Sequence, residues 1–190
     1  QHILTALSGA LVIVGLVPYA VAILRGTTKP SKASWIIWGA LDTITFAGML
    51  AKGTVNGQIT GCVIGVWVII ALALRYGTPG WTRIEQAALV GAVVGIVLWY
   101  VFDDATFGIV TSQIVTFVGA IPTFLSAWED PNRENRTAWT ILWLSCVCAV
   151  LAIPAWTLAD AAQPITFFTI ESAMVAVLFL RPRALVRAHA

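Results

Sequence analysis

The chain reads as long apolar runs separated by short polar, glycine-bearing or proline-bearing breaks. Seven runs come near the roughly 20 residues that a helix needs to cross a hydrocarbon core. They are Ile3–Leu24, Ala33–Ala51, Gly57–Leu74, Ile84–Phe102, Ala105–Trp128, Thr137–Ala159 and Ala161–Leu180. Two breaks look alike: TTKPSKASW after the first run and PNRENRTAW after the fifth are both short, basic and end on tryptophan. The pattern predicts an all-α membrane protein with seven transmembrane helices and no soluble domain or long linker.

Composition strengthens this reading. The 190 residues are 59% hydrophobic and only 11% charged, where a soluble domain carries about a quarter charged residues. Mean hydropathy is +0.88, and so few polar side chains cannot coat a water-facing surface. The net charge of +2 matters less than its placement. Seven spans put Arg25, Lys29, Lys32, Arg75, Arg83, Arg133, Arg136, Arg181, Arg183 and Arg187 on one side, and Lys52 alone on the other. The positive-inside rule then predicts an outer N-terminus and a cytoplasmic C-terminus, as in a multi-pass protein of the plasma (inner) membrane. Asp103, Asp104 and Asp160 fall on the outer side. The first run is read as a structural span and not a leader, because it lacks a basic start and belongs to a repeat.

That repeat appears when the chain is slid against itself by 104 residues. Ser8 meets Ser112, Val14 meets Val118, Gly15 meets Gly119, Pro18 meets Pro122, Trp35 meets Trp139 and Ile37 meets Ile141. Lys29 and Lys32 meet Arg133 and Arg136. A slide of 106 aligns Ile59-Thr60 with Ile165-Thr166 and Leu74-Arg75 with Leu180-Arg181. Spans 1–3 and 5–7 therefore read as copies, and span 4 as the joint. The expected units are residues 1–76, a linker helix within 77–104, and 105–190 with a short basic tail. Three helices plus one linker make the copies parallel, related by an axis along the membrane normal, with a space between them near the midplane.

Three helices, a linker helix and three helices, with the N-terminus outside, resembles the SWEET and PQ-loop transporter superfamily, here as a divergent member. The family's Pro-Gln pair stands as Pro18-Tyr19 and Pro122-Thr123, with both glutamines replaced. Of the prolines that sugar-carrying SWEETs place in the second helix of each bundle, span 2 has none and span 6 has Pro154, towards its outer end, with no partner in span 2. The resemblance implies an alternating-access carrier. A helix proline loses one hydrogen bond and clashes one turn back, so Pro18 and Pro122 are candidate hinges, the competing reading being static bends.

Two acids lie deep in apolar runs: Asp42 in IIWGALDTITF and Glu171 in FFTIESAMV. Ionised groups at that depth cost several kcal/mol, so they usually face a wet cavity or a partner. No basic residue shares their depth, and protonation is the least costly state, which suits proton coupling. The alternative is two permanently neutral acids hydrogen-bonded within the protein. Trp38 shares a helix face with Asp42, and Trp67 and Trp143 also sit too deep for an interfacial belt. They line a cavity or simply pack. Gln113 and Tyr19 are further polar candidates. In the family resemblance, cavity tryptophans on the second helices would contact the solute. The expected substrate-binding set is Trp38, Asp42, Trp67, Gln113, Trp143 and Glu171.

Other chemistry finds no residues. Span 7 has no lysine for a retinal Schiff base, the two histidines are terminal, and Cys62, Cys146 and Cys148 sit in apolar runs as an odd set. Nothing suggests catalysis, a cofactor or nucleic-acid binding. The expected partners are the lipid bilayer, a small polar solute (sugar, amino acid or small organic cation), protons and a second copy of the chain. The competing function is a seven-helix receptor or sensor that binds without translocating.

Overall fold

The computed structural model describes residues 1–27, 29–131 and 134–188, with the side chains of Pro122, Ser126 and residues 182–188 outside that description. Seven helices follow one another: α1 (His2–Leu24), α2 (Lys32–Lys52), α3 (Gly57–Tyr76), α4 (Arg83–Phe102), α5 (Ala105–Glu129), α6 (Arg136–Leu151) and α7 (Leu158–Ala188). Six are long and apolar enough to cross a membrane, and α6 has 16 residues. Among the described residues there is no strand, only a bridge between Ser31 and Thr78. Large apolar side chains such as Val90, Val93, Val97 and Val101 on α4 lie exposed, a surface suited to lipid and not to water.

The helix ends follow from local chemistry. Ser31, Asn56, Thr82 and Asn135 each accept a hydrogen bond from a first-turn N–H of the helix they start, satisfying a donor that has no partner within the helix. Gly53 ends α2 in the left-handed conformation at φ 70°, where a side chain would be strained. The sixth run breaks earlier than its hydropathy suggests. Helix α6 stops at Leu151 and α7 begins at Leu158, not at Ala161. Pro154 disfavours helix for the residue before it, and Thr157 then caps α7, its Oγ1 accepting from the Asp160 N–H at 3.2 Å. The seventh run also extends to Ala188, past the expected end at Leu180.

Helix α1 packs on α3 and α6, α2 on α3 and α5, and α7 on α5 and α6. These contacts close a ring in the order α1, α3, α2, α5, α7, α6, with weaker contacts across it between α2 and α7 and between α3 and α6. Helix α4 lies outside the ring against α5 and α2. Contacts recur at positions 104 apart: Gly15 of α1 lies against Leu142 of α6, and Gly119 of α5 lies against Trp38 of α2. The caps Ser31 and Asn135 are offset by the same 104 residues.

Two ends of the bundle can be told apart by their polar ties. At one, Lys52 pairs with Asp104 at 2.7 Å, and Thr54 Oγ1 donates to the Ala159 carbonyl at 3.2 Å. At the other, Lys32 N–H donates to the Thr78 carbonyl at 3.1 Å, and Thr78 N–H to that of Pro30 at 2.9 Å. There Glu85 accepts from Ser31 Oγ at 3.0 Å, from Ser34 Oγ, and from the Thr82 N–H at 2.6 Å, so the start of α4 is fastened to the α1–α2 connection. These are called the Lys52 end and the Glu85 end below. The α1–α3 seam is unusually close. A Cβ on Gly9 would lie 2.5 Å from the Gly57 carbonyl oxygen, and one on Gly61 would lie 2.7 Å from that of Gly9.

Candidate functional site

Helices α2, α3, α6 and α7 bring one titratable side chain each toward a common region. Cys62 of α3 lies within electrostatic reach of Asp42 (α2), Cys146 (α6) and Glu171 (α7), and Cys146 within reach of Glu171. The carboxyl groups of Asp42 and Glu171, which sit far apart in sequence, thus serve one neighbourhood. Both residues are partly buried. Glu171 Oε2 is sealed from solvent with no hydrogen-bond partner, and among the described residues none bonds Asp42. The Lys52–Asp104 salt bridge lies at the bundle's end. A buried carboxyl with no counter-charge is costly to ionise. Such a group binds a proton, or it accepts a cation or hydrogen-bond donor that arrives from outside.

The remaining predicted residues are distributed around this centre. Trp38 is partly buried, with its indole against Gly119 and edge-on to Trp35 at 5.4 Å between ring centroids. Trp35 Nε1 donates in turn to the Tyr19 hydroxyl at 3.3 Å. Trp143 Nε1 donates to Ser172 Oγ at 2.9 Å, beside Glu171 in sequence, and its ring lies 6.4 Å from that of Phe168. Trp67 is 53% exposed and donates to Thr43 Oγ1 at 3.2 Å. No described contact joins it to either carboxyl. Gln113 is buried and donates to Thr45 Oγ1 at 2.9 Å across the α5–α2 interface, while its Oε1 has no partner. Pro18 lies inside α1, which runs on past it to Leu24. Pro122 lies in α5, with its side chain outside the described residues.

The sequence reading passed over a chain of buried amides and hydroxyls toward the Lys52 end. Asn56 Nδ2 donates to Gln163 Oε1 at 2.9 Å, and Gln163 Nε2 to Gln58 Oε1 at 2.9 Å. Gln58 Nε2 reaches Cys146 Sγ at 3.0 Å and Ser145 Oγ at 3.3 Å. Ser8 and Ser145 exchange hydroxyl-to-carbonyl bonds at 3.0 and 2.9 Å. Helices α1, α3, α6 and α7 are joined in one line. Gln58 stands in the first turn of α3 and Gln163 in the second turn of α7, where a polar side chain reads as an interfacial residue. Their signal was that both lie next to apolar runs whose amides must find partners inside the bundle.

A groove of about 420 Å³ between α1 and α3, lined by Thr5, Gly9, Ile13, Gly57 and Ile64 among others, is lined by neither carboxyl. Among the described residues no group of three His, Cys, Asp or Glu side chains could hold a metal ion, and the cysteines are free thiols. No family model, curated protein or solved structure matches this chain.

Proposed function

We propose that the chain is an alternating-access carrier for a small polar solute, with Asp42 and Glu171 binding the solute or a coupled proton at the centre of the bundle. The observation that carries this reading is the pair of carboxyl groups with no basic partner among the described contacts, on α2 and α7, both within electrostatic reach of Cys62. Intramembrane acids of this kind mark solute and proton pathways. The ring of contacts supports a design of two parallel three-helix units joined by α4. Exchanging α1 with α5, α2 with α6 and α3 with α7 maps each of its contacts onto another. That is the two-fold arrangement expected of parallel repeats in carriers of the SWEET and PQ-loop type. The basic residues of the sequence gather at the Glu85 end, which under the positive-inside rule is cytoplasmic, in the plasma membrane.

Uptake into proteoliposomes tests the reading. Sugars, amino acids and small organic cations are presented with and without a pH gradient, and at least one class is expected to accumulate. Asp42→Asn and Glu171→Gln are each expected to reduce uptake and to remove its dependence on the gradient. Ligand binding without uptake across that panel would replace the carrier with a receptor.

A further inference from the structure

The line of buried polar side chains toward the Lys52 end is not part of the proposed binding set, and none of its buried side-chain atoms is without a partner. Ser8, Gln58, Ser145 and Gln163 have 0–1% of their surface exposed. Each bond in the line joins two different helices, and together they span α3 to α7, α3 to α6 and α6 to α1. Only Asn56, at the outer edge of the line, is partly exposed. Beginning at Ile59, the residue after Gln58, Met49, Ile59, Ile109 and Ala159 form a cluster from α2, α3, α5 and α7, and Cys62, three residues further into α3 than Ile59, packs against it. Asp42 and Glu171, further along their helices, keep part of their surface open.

We propose that the line Asn56–Gln163–Gln58–Ser145–Ser8 is a polar latch that closes the Lys52 end of the central site, and that the site exchanges with solution at that end only when the latch parts. The proposal rests on the carrier reading for its purpose but not for its test. Amides and hydroxyls suit a latch because their net bond strength is modest: made and broken bonds differ little when water can replace the partner. The apolar cluster alone would seal as well, but it offers no directional bonds to define one closed register. Breaking one link leaves a buried amide unpaired in the closed state and satisfied by water in the open one, so the balance moves toward open.

Cys62 is a native reporter, since it sits on the inner side of the seal. A charged, membrane-impermeant maleimide is applied to sealed vesicles from each side in turn. In the unaltered protein, labelling of Cys62 from the Lys52 side is expected to be slow. Gln163→Leu removes both bonds of Gln163 and Asn56→Ala the outer one alone; each is expected to raise that rate, by about tenfold per net hydrogen bond lost. A second arm locks the latch. Ser8→Cys with Ser145→Cys, whose parent oxygens are 3.3 Å apart, is oxidised to a disulfide in the Gln163→Leu background. Oxidation is expected to return labelling to its slow rate, and reduction to restore the fast one. Fast labelling of the unaltered protein from the Lys52 side overturns the latch. So does an unchanged rate in both link variants while they remain folded. Faster labelling without uptake of any solute leaves the latch standing and removes the carrier, while uptake with unchanged labelling does the reverse.

Discussion

The α1–α3 seam and the α5–α7 seam occupy corresponding places in the ring and are built from opposite materials. On the first, Gly9, Gly57 and Gly61 bring backbone against backbone, and Gly65 makes room for the Leu16 side chain. Under the offsets of 104 and 106 residues, those positions are Gln113, Gln163, Phe167 and Glu171 on the second. Leu16, whose side chain meets Gly65, corresponds to Ala120, so the bulk has changed sides of the seam along with the chemistry. Small residues allow close helix approach in a membrane, where dispersion replaces the hydrophobic effect as the force between helices. The first seam is thus specialised for rigidity. The second holds the polar groups: an amide on the latch, an amide facing Thr45, and an acid at the centre.

The largest expected effect comes from filling the close seam. Gly57→Val drives a side chain into the Thr5 carbonyl, where neither backbone can yield. Its cost is expected to reach or exceed the upper end of the roughly 1–3 kcal/mol typical of overpacking, read as loss of folded protein in detergent. Next is the corresponding position on the other seam. Gln163→Leu keeps the volume but leaves the Asn56 amide and Gln58 Oε1 without partners. A destabilisation of about 1–3 kcal/mol is expected, measured by chemical denaturation, and a neutral result would mean the two seams do not divide the labour as described.

A smaller contrast separates the two serines that the offset of 104 pairs. Ser8 bonds to Ser145, but the residue corresponding to Ser145 is Leu41, and Ser112 Oγ is buried without a partner. Ser8→Ala is expected to lower stability by about 1 kcal/mol, and Ser112→Ala to leave it unchanged or raise it by about as much. Equal losses from both would show that Ser112 has a partner after all. The smallest effect is at the surface. Asp104 is held at about 2, below its ordinary 3.8, by hydrogen bonds from Lys52 and then from the Thr106 N–H. A depressed carboxyl stabilises the fold above its unfolded value, and that contribution fades as pH falls from about 4 toward 2. Lys52→Ala is expected to flatten this acid limb of a thermal-melting profile while leaving the melting temperature at pH 7 nearly unchanged.

Much of this was legible in the sequence, because lipid imposes simple rules. A helix must satisfy its own backbone, so hydropathy located the runs to within a few residues wherever a capping residue followed. It misplaced the α6–α7 boundary, since Ala152 to Ala159 is apolar but for Thr157, while Pro154 and Thr157 dictate the break. Asp42 and Glu171 stood out because a lone acid in an apolar run has few innocent explanations. Trp67 illustrates the limit: depth alone suggested a cavity, but only the helix packing decides which way a side chain turns, and it lies more than half exposed beside Thr43. The latch was hidden for the same reason. Its members are 87 to 137 positions apart link by link, and no local pattern announces that Asn56 will meet Gln163.

The clamp on Glu85 also bears on the order in which the chain can be completed. Its partners Ser31, Ser34 and Thr82 all precede it, so that fastening can form as soon as the fourth helix has been synthesised. The opposite end has no such independence. Ser8 and Gln58 are made early and remain without their acceptors and donors until Ser145 and then Gln163 have entered the membrane. Assembly therefore finishes where it began, with the final helix supplying what the first ones lack.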